Sequence, residues 1–315
     1  MHWKLRAAIQ NAIAALPERA SYAAYYRIQR TCGELRHHDP SEHLEAAVEL
    51  WQRILDAGRS PSGKTFFEVG TGRVPTVPIA YWLMGAGNTI TVDRNPYLKA
   101  ALVGEAINHI AEHSQQVAAR FGTLLWEARF KALLQLPRPI TLARVLELCS
   151  IQYLAPADAA HTSLPPQSVD FHTSYTVLEH IPAGDILEIL LEGGRIMRPH
   201  GLFVHRIDYT DHFSHSDPAI TSINFLQYSD DEWARYSGNR YTYVNRLRHD
   251  DYLQLFASAG HTILAATPFI DERARRLLQE SSFRVHRRFA TKSREVLCIS
   301  GSWLVTELPH PTQGK

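Results

Sequence analysis

Apolar positions along the chain follow two periods, the alternation typical of strands and the longer repeat of helices, and the period switches several times. Short apolar or β-branched runs predict strands, and amphipathic stretches between them predict helices. The predicted strands are residues 65–69, 89–92, 169–175, 202–207, 261–268 and 296–304. The predicted helices are residues 78–84, about 98–136, 186–197 and 252–256. Strands that alternate with helices predict an α/β fold whose parallel sheet is covered by helices on both faces.

The N-terminal residues carry helical periodicity alone. We therefore expect a helical extension or lid at residues 1–60 and a main domain at residues 61–310. Within the main domain we expect a helical insertion at about 97–137 and a polar, substrate-binding insertion at about 208–249. Three tyrosines between positions 22 and 26 form an aromatic cluster, which is either a packing surface or part of a lid over a substrate.

Composition narrows the class of protein. The 315 residues can bury a substantial core, and 45% hydrophobic with 21% charged residues is typical of a globular protein. A net charge of +1 makes a nucleic-acid partner unlikely by this criterion and gives no support to an anionic membrane. Cys32, Cys149 and Cys298 form no CxxC pair, which predicts a reducing, cytoplasmic location. The charged N-terminal segment does not resemble a signal peptide, and we expect no membrane span.

The run EVGTG, Glu68 to Gly72, follows the first predicted strand. Gly70 and Gly72 permit a sharp turn and a close approach of the backbone to a ligand. A dinucleotide-binding loop would place a third glycine where Pro75 stands, and the Glu68 carboxylate would repel a pyrophosphate. The same carboxylate favours a cofactor that carries a positive charge.

This run resembles the first motif of class I S-adenosylmethionine-dependent methyltransferases, and further landmarks follow in that family's order. Asp93 is similar to the acid that binds the ribose, and Asp158–Ala159 is similar to the motif that holds the adenine. Residues 170–182 resemble the fourth-strand motif near the reactive methyl group, and residues 196–207 resemble the helix, turn and strand that follow. Val74 departs from the family, which often has a small residue there.

The resemblance covers about residues 65–207 and implies a three-layer, Rossmann-like fold with a mainly parallel, seven-stranded sheet. It implies S-adenosylmethionine as the cofactor and methyl transfer as the reaction. The cofactor-binding residues that it implies are Glu68, Gly70, Thr71, Gly72, Asp93, Arg94, Asp158, Ala159 and Ser174.

Methyl transfer to an oxygen requires alignment of the acceptor and removal of its proton. His180 follows the fourth predicted strand and is one candidate base, while a structural contact at a helix start would explain it equally well. A second candidate is the dense run His205, Asp208, Asp211, His212, His215 and Asp217. Its imidazoles and carboxylates could hold a divalent metal, act directly on the substrate or form a solvated loop, and their spacing fits no specific metal motif. We therefore expect His180, His205, Asp208 and His212 to be the catalytic residues.

A third polar run, Tyr241 to Arg248, predicts contacts to the acceptor. Arg246 and Arg248 would share one strand face, where guanidinium groups suit carboxylates or phosphates, although an ion-paired connection would also explain them. With the run around Asp208, this segment resembles bacterial methyltransferases associated with polysaccharide and glycan assembly. The substrate-binding residues that we expect are Asp211, Asn245, Arg246 and Arg248.

The sequence thus predicts O-methylation of a sugar, a glycan or another small molecule. Three alternatives remain: an RNA methyltransferase, an NAD-dependent dehydrogenase and a protein that binds S-adenosylmethionine without catalysis. Pro75 disfavours the dehydrogenase, and the near-neutral charge disfavours RNA. The sequence leaves the acceptor, the metal dependence and the oligomeric state open.

Overall fold

A seven-stranded sheet forms the centre of the computed structural model. The structure describes residues 1–36 and 39–309, and the predicted domain end at residue 310 lies outside these ranges. Its strands are Thr65–Val69 (β1), Asn88–Val92 (β2), Ile151–Leu154 (β3), Val169–Tyr175 (β4), Met197–Asp208 (β5), Thr262–Ile270 (β6) and Ile299–Glu307 (β7). The strand order is β3-β2-β1-β4-β5-β7-β6, in which β7 alone runs antiparallel to its neighbours. The predicted Rossmann-like α/β fold is therefore confirmed.

Thirteen α-helices surround the sheet in the described residues. They are Trp3–Ala14 (α1), Glu18–Cys32 (α2), Ser41–Asp56 (α3), Thr76–Leu83 (α4), Ala100–Glu112 (α5), Ser114–Phe121 (α6), Glu127–Leu134 (α7), Leu142–Leu148 (α8), Ala183–Ile196 (α9), Asp230–Ser237 (α10), His249–Ser258 (α11), Glu272–Leu277 (α12) and Arg294–Leu297 (α13). None of the helices in the described ranges has the length and apolar character that crossing a bilayer requires.

The central strand β1 is buried on both faces because each face packs against its own helical layer. Phe66 belongs to the core formed with α3, α4 and α5, and Phe67 belongs to the core formed with α9 and α11. Side chains alternate between the two faces of a strand, so consecutive phenylalanines serve opposite layers. This continuous apolar run is typical of a parallel strand covered on both sides.

Several elements differ from the sequence prediction, among them α8, α10, α12 and α13, which were not predicted as helices. Strand β3 was not predicted, because its four residues include exposed Gln152 and a partly exposed Tyr153 at the sheet edge and carry little apolar periodicity. The predicted insertion at 97–137 is divided among α5, α6 and α7, with Gly122 at φ +53° after the second of them. These helices pack on the layer that contains α4.

The N-terminal helices have different neighbours. Helix α1 joins the polar insertion: Trp3 is 3% exposed, stands 4.8 Å from the Tyr236 ring centre, and donates its backbone N–H to Asp217 at 2.8 Å. Helix α2 bridges the insertion and the main domain through a 4.0 Å stack of Tyr25 on Tyr241 and through a bidentate ion pair of Arg30 with Glu105. Helix α3 packs on α4. Helices α1 and α2 therefore contact the insertion, and α2 connects it to the main domain.

Trp3→Ala should destabilise the protein by about 3–5 kcal/mol, because it removes a large buried aromatic side chain from the core that α1 shares with the insertion. Urea unfolding monitored by circular dichroism measures the change. Leu5→Ala, on the same helix but 55% exposed, is the control and should change stability by less than about 1 kcal/mol. Equal losses in both variants would contradict this docking of α1.

Candidate active site

The loop after β1 turns on two glycines with different surroundings. Gly70 has φ +90°, and a β-carbon there would lie 2.4 Å from Cγ2 of Val177. Gly72 has φ +68°, and a β-carbon there would project into open space. Both angles lie in the left-handed region that favours glycine. Gly70 therefore allows the loops after β1 and β4 to touch, while Gly72 leaves room for a ligand.

Val74, the departure from the family pattern, is a core residue. It is 8% exposed and belongs to the apolar layer between the sheet and α4. Pro75 follows and precedes the first turn of α4, where its fixed φ is compatible with the helix start. The valine is therefore explained by packing under the loop rather than by contact with a ligand.

Glu68 lies beneath this loop and is only 4% exposed. Thr91 donates a hydrogen bond of 2.5 Å to its carboxylate, and the Thr71 hydroxyl lies 2.6 Å from that of Thr91. Burial raises the pKa of Glu68 to about 8, Thr91 opposes this rise and Asp93 adds to it. The carboxyl group is therefore mostly neutral at neutral pH, and a cation bound above it would favour its ionised form.

Glu68→Gln should raise thermal stability increasingly as the pH rises from about 5 to 8. Because the folded-state pKa lies above the ordinary value of 4.5, wild type loses stability across this range, whereas glutamine does not ionise. Calorimetric melting at several pH values measures the difference. Glu188→Gln on the exposed face of α9 is the control for the amide substitution itself. A flat difference for Glu68→Gln would contradict the burial of this carboxyl group.

Asp93 ends β2 beside the glycine loop. Its carboxylate accepts hydrogen bonds from the backbone N–H groups of Gly72 at 3.0 Å and Asn95 at 2.9 Å, and its pKa is raised, mainly by burial. Ala157 donates its N–H to the Asp93 carbonyl at 3.0 Å, so the loop after β3 lies alongside. The structure thus brings the expected ribose and adenine motifs together.

The other residues of these two loops differ in exposure. Asp158 is exposed and accepts a hydrogen bond from Ala160 at 2.9 Å, while Ala159 is buried. Arg94 is exposed next to Asp93. The segment that follows Asp158 forms a turn.

Ser174 and His205 do not face this site. Both are buried, at 1% and 0% exposure, and the serine hydroxyl lies 2.8 Å from His205 Nδ1. Burial lowers the pKa of His205 well below its ordinary value, and His172 is the second cause. The side chains lie in the layer between the sheet and α11, where Phe256 contacts the imidazole. His205 is therefore corrected from catalytic base to core residue, and Ser174 from cofactor contact to its partner.

A polar cluster forms where the chain leaves β4 and β5. Glu179, His180 and His212 each place one potential ligand atom so that all three lie within 4.8 Å of one another. Asp208 Oδ2 lies 3.4 Å from His212 Nε2, and the two imidazole centres are 4.9 Å apart. We call these four residues the His–acid cluster. It combines three predicted catalytic residues with Glu179, which was not predicted.

Charges within the cluster shift its protonation. Burial would raise the pKa of Asp208, but His212 and Thr210 hold it at about 2, so this carboxylate is ionised. Burial raises the pKa of Glu179 well above its ordinary value, and the Asp208 charge adds to the rise. Burial of the ring lowers the pKa of His180 to about 4 and His212 adds to the fall, although the residue as a whole is exposed. His180 is therefore neutral near pH 7.

Glu179 is the site residue that the sequence interpretation missed. It is 3% exposed, and neither carboxylate oxygen has a hydrogen-bond partner. The only sequence signal is its position directly before His180, and an acid in a short helical turn is usually a solvated residue. A buried acid with unsatisfied oxygens is costly and therefore requires an explanation.

The predicted substrate residue Asn245 holds the cluster in place. Its side-chain amide donates to the carbonyls of Leu178 at 2.9 Å and Ile181 at 2.8 Å, and its backbone N–H donates to the Glu179 carbonyl at 2.8 Å. His180 Nδ1 lies 2.8 Å from the carbonyl of Tyr243. Asn245 is therefore a positioning residue for the turn that carries Glu179 and His180.

The arginines are corrected from acceptor contacts to scaffold residues, because no strand forms between Tyr241 and α11. Arg248 is fully buried and donates to main-chain carbonyls, among them that of Tyr209 at 2.6 Å. Arg246 is 4% exposed, donates to the Tyr228 carbonyl at 2.8 Å, and pairs with Asp230. These bonds occupy the guanidinium groups that were expected to bind an acceptor.

Only some residues of the acidic run after β5 reach the His–acid cluster. Asp211 is fully buried and accepts hydrogen bonds from Asn224 at 2.8 Å and from the Phe213 N–H at 2.9 Å. Asp217 receives the Trp3 N–H, and His215 Nε2 lies 4.0 Å from Asp208. The expectation that Asp211 contacts the substrate is therefore wrong, and Asp208 with His212 is the part of the run that reaches the cluster.

Comparison with known proteins adds a likeness of fold. No protein-family model and no curated protein matches the chain. A S-adenosylmethionine-dependent methyltransferase from Methanosarcina mazei matches with 13% identity over 82% of this chain and 98% of its own, at a TM-score of 0.44. Magnesium protoporphyrin IX methyltransferase from Synechocystis, with bound S-adenosylhomocysteine, matches with 10% identity over 85% and 83%, at 0.43. The [4+2]-cyclase SpnF matches with 11% identity over 85% and 82%, at 0.46.

Proposed function

We propose that this protein transfers a methyl group from S-adenosylmethionine to an oxygen atom of a small molecule, with a sugar or glycan as the favoured class of acceptor. The observation that carries the proposal is the contact between the two loops. Gly70 belongs to the glycine loop, Val177 precedes Glu179 by two residues, and the two meet without space for a β-carbon. A cofactor on the glycine loop would therefore lie next to the His–acid cluster.

The residues of the glycine loop fit such a cofactor. Gly72 leaves open space above the loop, and Asp93 is held at its rim by two backbone N–H groups. A carboxylate has about four lone-pair sites, so Asp93 retains capacity to accept ribose hydroxyls. Asp158 and Ala159 would border the adenine, and Thr71 and Arg94 would flank the rest of the cofactor. Helix α2 would cover this end, because Tyr22 donates to Asn95 at 3.0 Å.

The chemistry requires removal of one proton from the acceptor. S-adenosylmethionine supplies an electrophilic methyl group on a sulfonium. As the acceptor oxygen forms its bond to the methyl carbon and the sulfur–carbon bond breaks, the hydroxyl proton passes to a base. His180 and His212 are the accessible imidazoles of the cluster, and ionised Asp208 stabilises the imidazolium of His212. Asn245 holds the turn that contains His180 in position for this step.

Gly70→Ala should weaken binding of S-adenosylhomocysteine at least tenfold, because the new β-carbon would overlap Val177 and the φ of +90° is strained for alanine. Isothermal titration calorimetry measures the affinity. Gly104→Ala on α5 has no atom within 4 Å of the new β-carbon and is the matched control with unchanged affinity. If wild type binds neither S-adenosylhomocysteine nor S-adenosylmethionine, the proposed cofactor is wrong.

His180→Gln and His212→Gln should each lower kcat about a hundredfold in an acceptor screen of sugars and glycans that follows S-adenosylhomocysteine release. Affinity for S-adenosylhomocysteine should remain within about twofold of wild type, because neither imidazole lies on the glycine loop. His109→Gln on α5 is the control. Cofactor binding with no methyl transfer to any acceptor would favour the non-catalytic alternative, and strong, salt-dependent RNA binding would favour an RNA acceptor.

A further inference from the structure

The His–acid cluster places two acids, Glu179 and Asp208, beside two imidazoles. Both oxygens of Glu179 are buried, and no hydrogen-bond donor among the described residues satisfies either of them. A buried, unpaired carboxylate is expensive, so native proteins usually pair such a group with a cation or a donor. In the described residues, no donor satisfies the Glu179 oxygens, and Arg206 is a neighbouring cation that makes no hydrogen bond to them.

The imidazoles beside Glu179 are oriented as metal ligands usually are. His180 Nδ1 donates to the Tyr243 carbonyl at 2.8 Å, which leaves the lone pair of Nε2 directed away from that bond. His212 lies beside the Asp208 carboxylate, with 3.4 Å between Nε2 and Oδ2. A metal-binding histidine generally gives its second ring nitrogen to a carbonyl or carboxylate, which fixes the ring. His180 has such a partner in the Tyr243 carbonyl, and for His212 the nearest carboxylate is that of Asp208, at an ion-pair distance.

We propose that Glu179, His180 and His212 bind one divalent transition-metal ion, with Asp208 as an additional ligand or as the partner that orients His212. The ligand atoms of the three residues already lie within 4.8 Å of one another, so small rotations would close them on an ion. Two imidazoles and one or two carboxylates suit Mn²⁺, Co²⁺ or Zn²⁺ better than Mg²⁺, which prefers oxygen ligands.

The proposed metal site also indicates a chemical class for the acceptor. This inference about the acceptor rests on the proposed function. The cluster follows the loop that touches Gly70, so an ion there would lie next to the transferred methyl group. A bound cation lowers the pKa of a coordinated hydroxyl, and the proton then leaves to solvent instead of to His180 or His212. An acceptor with two neighbouring oxygens, such as the vicinal diol of a sugar, would bind through both. The oxygen–methyl bond forms as the sulfur–methyl bond breaks, which leaves a neutral thioether.

Mn²⁺ binding tests the site directly. Protein is stripped with EDTA, dialysed and titrated with MnCl₂, and free Mn²⁺ is followed by electron paramagnetic resonance. We expect one ion per chain in wild type and at least tenfold weaker binding in Glu179→Gln and His212→Ala. The chain has 17 histidines, so His109→Ala, which removes an imidazole 3.3 Å from Asp39, is the control for adventitious binding and should bind as wild type does. CoCl₂ should produce visible absorption bands that the two cluster variants lack.

Folding of the variants is measured in EDTA. Glu179→Gln should melt at the same temperature as wild type or higher, because it removes an unpaired buried carboxylate, and Mn²⁺ should then stabilise wild type alone. Wild type that binds no Mn²⁺ or Co²⁺, or Glu179→Gln that binds them as tightly as wild type, would overturn the proposal. S-adenosylhomocysteine is titrated into the same EDTA-treated samples. Its binding without metal binding would refute the metal site alone, and metal binding without it would refute the methyltransferase proposal alone.

Discussion

The candidate site depends on a contact between Gly70 and Val177 that leaves no space for a β-carbon. It joins the loop after β1 to the loop after β4, two neighbouring parallel strands whose carboxyl ends meet at one edge of the sheet. The first loop leaves open space at Gly72 and lies against Asp93, and the second carries Glu179 and His180. Any widening of this contact would separate the glycine loop from Glu179 and His180.

The polar insertion serves mainly to hold that second loop in position. Asn245 binds the turn that contains Glu179, and buried Arg248 ties the insertion to the main chain near β7. Helix α1 packs on the insertion through Trp3, and α2 connects the insertion to the loop after β2 through Tyr22 and Asn95. Many of its charged side chains therefore satisfy carbonyls and caps. This accounts for a polar segment without regular periodicity that is nonetheless densely packed.

Two buried acids lie on either side of the contact, and the ionised form of each is unfavourable in the protein alone. Glu68 under the glycine loop keeps its proton to about pH 8, and Glu179 has no hydrogen-bond partner for either oxygen. Such groups are unfavourable for folding and are usually retained where a bound cation compensates them. A sulfonium or ammonium group above Glu68 and a metal ion beside Glu179 would each provide that compensation.

The sequence by itself determined the alternation of strands and helices and the glycine loop with Asp93, because periodicity and short motifs are local properties. It also predicted His180 and Asp208 as site residues, and the structure places both in the His–acid cluster. The sequence could not determine which polar residues of the 205–248 region reach the site. His205 faces the core, Arg246 and Arg248 bind carbonyls, and Glu179 enters the cluster, because strand orientation and loop packing decide where each side chain lies. The sequence did not explain Val74, whereas the structure does, because this residue packs in the core beneath α4.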